Sequence, residues 1–94
     1  MSRRDEIVTQ LKAQIDEVNQ RIGDIEARVD QLKGDAESTY RQRLEDMRDR
    51  ERRLRGKLQE LRDAGEDRWD QLRAEAETLQ TALQRSFNYF KSQL

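Results

Sequence analysis

Ninety-four residues, 41% of them charged and 33% hydrophobic, offer too little apolar surface to enclose a broad globular core, which leaves narrow helical seams as the way to offset the ordering entropy of folding. Nineteen basic residues against 20 acidic ones give no global field to hold nucleic acid or an anionic membrane. The absence of cysteine and histidine removes the disulfide staple, the thiolate ligand, the commonest metal ligand and the commonest general base.

Proline is absent as well, and a chain filled with Gln, Glu, Asp, Arg, Leu and Ala favours long helices over strands. No window approaches the roughly 18 apolar residues of a membrane span, and no apolar stretch follows Arg3 and Arg4 as a secretion signal requires. A soluble, cytoplasmic protein is expected.

The first element is a coiled-coil stripe. From Val8 the apolar residues fall at Leu11, Ile15, Val18, Ile22, Ile25, Val29 and Leu32, in alternating steps of four and three that place Ile15, Ile22 and Val29 at heptad position a and Val18, Ile25 and Leu32 at d. The row from Leu11 to Leu32 is the candidate oligomer seam. Its Ile and Val content leaves the oligomer number open.

Beyond Leu32 the stripe passes through Ala36, Tyr40, Leu44 and Met47 before heptads resume at Leu54, Leu58 and Leu61. It keeps helical phase across Gly34 and Asp35, so one helix over about residues 3–63 is expected, on the order of 90 Å long at 1.5 Å per residue. The rival reading is a turn at Gly34, with the glycine as C-cap of one helix and Asp35 as N-cap of the next.

Gly65 is the stronger break. It follows Leu61 as a C′ residue would, and Glu66 or Asp67 can serve the free amides of a new first turn. A corner is therefore expected near residues 64–67, with a returning helix over about 67–92. Its apolar face is Trp69, Leu72, Ala76, Leu79, Leu83, Phe87, Phe90 and Leu94. Acid-to-base pairs in the favourable i, i+4 order, such as Glu17/Arg21, Glu37/Arg41, Asp49/Arg53 and Glu51/Arg55, occur before Gly65 and not after it. The first stretch is thus suited to a long solvent-bathed helix, while the second depends on its aromatic face finding a surface.

Two stretches stand out as candidate interaction sites. In the segment of residues 41–57, Arg41, Arg48 and Arg55 occupy e positions and Arg43, Arg50 and Lys57 occupy g positions, so both shoulders of the seam are basic. This disfavours a parallel self-pair and makes a strip for an acidic helix, phosphate or anionic lipid. The blander reading has these cations solvated and neutralised by nearby acids. Nothing in the segment suits base stacking or groove reading, which disfavours nucleic acid.

The second stretch is the face made by Trp69, Leu72, Leu79, Leu83, Phe87 and Phe90. With Arg85 and Lys91 beside its aromatics it could lie on a membrane surface or coat a lipid body. Bundle core is the alternative. No carboxylate sits in a constellation suited to acid/base or metal chemistry, so no catalytic, cofactor-binding or metal residue and no small-molecule substrate is expected.

The opening RRDEIVTQLKAQIDEVNQRI, the midpoint AESTYRQRLEDMR and above all LRDAGEDRWDQLRAEAE, anchored on Ala64, Gly65, Glu66, Asp67, Trp69 and Leu72, resemble the small bacterial coiled-coil proteins of a stress-response family first noted in cyanobacteria and widespread in proteobacteria. The likeness spans nearly the whole chain. It implies a helical, non-enzymatic protein with a stress-related role and supplies no site residues.

The expectation is then an all-α coiled-coil hairpin forming a single domain over residues 1–94. A hairpin leaves the stripe of Val8 to Leu32 in water, so an antiparallel homodimer with a three-helix bundle at each end is expected, with a monomeric three-helix bundle as the alternative. The function expected is a structural or scaffolding oligomer. A lipid-coating role through residues 69–94 and acidic-partner binding through residues 41–57 are the competing readings.

Overall fold

The computed structural model describes residues 3–94 and is all-helical over them. Three helices follow one another: α1 over Arg3–Val29, α2 over Asp35–Asp63 and α3 over Glu66–Gln93. They fold back to back into a bundle measuring 50 × 20 × 18 Å. That long dimension is close to the roughly 43 Å of one 29-residue helix.

The expected continuous helix over residues 3–63 does not form. The chain turns between Val29 and Asp35, as the rival reading had it, but the caps differ: Gly34 is the N-cap of α2 and not the C-cap of α1, and Asp35 is not a cap. The last turn of α1 tightens, with the Gln31 amide donating to the Arg28 carbonyl at 3.1 Å and the Leu32 amide to the Val29 carbonyl at 3.0 Å. Gly34 then adopts φ 92°, ψ −161°, a region that essentially only glycine enters freely. No side chain caps α2, and Asp35 is its first helical residue, set with Glu37 where the helix dipole favours negative charge.

Phase continuity was a misleading guide, because a stripe in helical register suits a straight helix and a folded one alike. Folding back covers the stripe within one chain. Leu11, Ile15, Ile22 and Val29 become buried in the chain's own core, so a single copy covers most of the seam that a hairpin would have left in water.

The second corner falls where expected, with different capping. Ala64 closes α2 in extended conformation and Gly65 opens α3 at φ −77°, ψ 172°. Gly65 is thus an N-cap and not a left-handed C′ residue, and no side chain caps the new helix. Its carbonyl accepts from the Arg68 and Trp69 amides, each at 3.2 Å.

The middle helix carries the core. Leu44, Met47, Glu51, Leu54, Leu58 and Leu61 are its buried residues, an unbroken a/d run in which position 51 is an acid. Opposite them α3 buries Trp69, Leu72, Ala76, Leu83 and Phe90. Helix α2 packs along both neighbours, whereas the backbones of α1 and α3 stay farther apart. Met47 and Leu54 are fully buried, and truncating such a leucine to alanine costs about 2–5 kcal/mol.

Candidate interaction surface

The basic strip of residues 41–57 is used inside the bundle. Its e row faces α1: the Arg41 guanidinium meets Asp30 at 2.7 Å, Arg48 pairs with Glu26, and Arg55 reaches Asp16 at 3.7 Å. Its g row faces α3: Lys57 meets Glu75 at 2.6 Å, Arg50 donates to the Ser86 hydroxyl at 3.4 Å, and the Arg43 guanidinium lies 3.9 Å from the Tyr89 ring centroid. The two basic shoulders of one seam therefore serve two antiparallel neighbours.

These contacts shift titrations in the expected sense. Hydrogen bonding to Glu75, then to Glu60, raises Lys57 above its ordinary value, and the bond from Lys57 holds Glu75 below the usual carboxylate range. Arg41 is raised by its bonds to Asp30 and Glu37.

The lipid or bundle face divides. Trp69, Leu72, Leu83 and Phe90 are buried, while Leu79 and Phe87 are half-buried. Tyr40 brings α2 to the aromatic end of α3, its ring centroid 6.3 Å from that of Tyr89 and 6.0 Å from that of Phe90. Such tilted pairs contribute about 0.5–1.5 kcal/mol beyond area burial.

The seam divides too. Leu11, Ile15, Ile22 and Val29 are core, but the d residues Val18, Ile25 and Leu32 remain half-buried. Because α1 and α3 splay, Val18 and Ile25 lie along an open groove between them, with Phe87 on the opposite wall. Gln80 bonds to Gln14 across the splay. Toward the Gly34 end the groove continues past Arg21, whose guanidinium lies 5.7 Å from the Phe87 ring centroid, to Arg28, Lys91 and Leu94. Leu94 is 37% exposed.

Sequence reasoning missed the burial of Glu51, which was read as half of a solvated pair with Arg55. Its position at a, between Leu44 and Leu58, was the available signal. Glu51 is 7% exposed and accepts from Arg55 Nε. Among the described residues no buried side-chain nitrogen or oxygen lacks a hydrogen-bond partner, and no group of three or more acidic side chains is placed to hold a metal ion.

The fold and surface define a small three-helix protein with an open groove between α1 and α3. No protein-family model, curated protein or solved structure matches the chain. The resemblance to the stress-response family gains no support from these comparisons.

Proposed function

We propose that this chain is a non-enzymatic structural protein, a helical scaffold that self-associates through the open face between α1 and α3. The observation that carries the reading is the half-buried row of Val18, Ile25 and Phe87 in a groove between two splayed helices. A row of this kind accepts apolar knobs from another helix. The cytoplasmic location and stress-related setting expected from the sequence go with this proposal, the second on resemblance alone.

The competing readings have less in their favour. A lipid coat draws on Trp69, Leu72, Leu83 and Phe90, which would first have to leave the core. No helix among the described residues is long and apolar enough to cross a membrane. An acidic partner at residues 41–57 would compete with Asp30, Glu26, Asp16 and Glu75, which already hold those cations.

Light scattering on the intact chain and on Ile25→Asp tests the proposal. The expected result is an assembly larger than one chain at micromolar concentration that the variant reduces to monomer with its helicity intact. A monomer mass for the unaltered chain at high concentration would reject self-association.

A further inference from the structure

We infer that residues 30–34 form a hinge and α1 an exchangeable arm, so that the chain has a second state: a domain-swapped dimer in which α1 and α2 join into one helix and each α1 docks on α2 of a second copy. The exchange is independent of the α1/α3 face, because it uses contacts buried in the core.

The first observation is phase. Val29, Leu32, Ala36 and Tyr40 carry the apolar stripe across the turn in helical register, and no proline interrupts it. The same sequence therefore suits a straight helix from Arg3 to Asp63, about 90 Å long.

The second observation is how little holds the turn. Among the described residues Gly34 alone adopts a positive φ, at 92°, and α2 has no side-chain cap. Leu32, the one apolar side chain between α1 and α2, is only half-buried. The ion pair that spans the turn, Arg41 with Asp30, is solvent-exposed on both sides.

The third observation is that what holds α1 can be transferred. Helix α1 packs along α2 and reaches α3 through Arg4 on Trp69, Gln14 with Gln80 and Arg21 beside Phe87, surfaces that a second copy presents in the same arrangement. Ile15, Ile22 and Val29, the pairs of Glu26 with Arg48 and Asp16 with Arg55, and the pair of Asp30 with Arg41 would all re-form between copies as they stand within one. The two states then differ chiefly in five hinge residues and in the entropy of association, the condition under which short hinges exchange. A second copy of this chain is the partner this arrangement fits.

Gly34→Ala isolates the hinge. A Cβ at residue 34 meets nothing within 4 Å, so the substitution acts through the backbone, straining the turn and favouring the helix. Two hinges change per dimer, and each contributes on the order of tenfold, so the dimer dissociation constant should fall on the order of 100-fold. To read chain topology, Glu26→Cys and Arg48→Cys are introduced together into this cysteine-free chain and joined with a short bismaleimide. A closed monomer gives a product of single-chain mass on a denaturing gel, and so does a dimer held face to face. A swapped dimer links two chains.

The expected result for Gly34→Ala is a dimer by light scattering that yields two-chain product. A folded Gly34→Ala that stays monomeric, or a dimer that links only within chains, overturns the inference. Should Gly34→Ala lose its helical circular dichroism, the unaltered hinge carries the test. Refolding the chain from denaturant at millimolar concentration should give two-chain product, which four inserted residues, Gly-Ser-Gly-Ser after Lys33, should abolish. Absence of that product from the unaltered hinge overturns the inference equally.

Discussion

Arg4 closes over Trp69. Its guanidinium carbon lies 4.3 Å from the indole centroid while Nη2 donates to the Ala64 carbonyl at 2.5 Å. One side chain from the start of α1 thus covers the first aromatic of α3 and satisfies a carbonyl in the corner that precedes it. Trp69, at 8% exposure, should emit in the blue and resist iodide quenching. Both properties should be independent of dilution, because the cover comes from the same chain. Arg4→Ala should raise the quenching constant and lower stability by about 1–2 kcal/mol, the sum of a cation–π contact and a hydrogen bond. Emission that shifts to the blue only on adding anionic vesicles would restore the lipid-coating reading.

Ile22→Asp should unfold the bundle and not merely dissociate an assembly. Ile22 is 1% exposed within one chain, and a carboxylate there would be buried without a partner. The expected loss is on the order of 4 kcal/mol, enough to shift the melting temperature of a domain this small by more than 10 °C. An unchanged melting curve would place residue 22 in water and overturn the packing of α1.

The Lys57–Glu75 pair sets a pH window. Glu75 is held below its ordinary value of 4.5, so its contribution is present above that pH and is lost as pH falls through the lower folded value. Lys57 is raised above 10.5, so its contribution is full below that pH and is lost as pH rises through the raised value. Between these limits the clamp from α2 to α3 is at full strength. Thermal melts should show a flat middle and two falling limbs, and Glu75→Gln should make both limbs shallower.

Glu51 offers a test of opposite sign. A charge at the a position between Leu44 and Leu58 is a costly occupant of the seam, and Arg55, with 43% of its side chain exposed and Asp16 at 3.7 Å, does not need it. Glu51→Leu should stabilise the fold by about 1 kcal/mol, read as a higher urea midpoint. A lower midpoint would mean that the Glu51–Arg55 bond fixes the alignment of α2 against its neighbours more than burial of leucine can offset.

The sequence by itself determined the all-helical class, the seams and the corner at Gly65, because these depend on local matters: the 3.6-residue turn, the recurrence of apolar side chains at steps of three and four, and the low helix propensity of glycine. It determined the composition of the basic strip but not its use. Whether Arg41, Arg48 and Arg55 meet water, another molecule or Asp30, Glu26 and Asp16 depends on which helix lies beside them, and no spacing along one helix encodes that. The same holds for Gly34. A stripe in unbroken phase is equally consistent with a rod and with a hairpin, since both bury the same face of each helix, and only the tertiary structure decided between them. Folding back over a five-residue turn brings Ile15, Ile22 and Val29 into one buried core with Leu44, Met47 and Leu54 without a second chain. That avoids the entropy of association, and the left-handed φ of Gly34 is what it requires of the backbone.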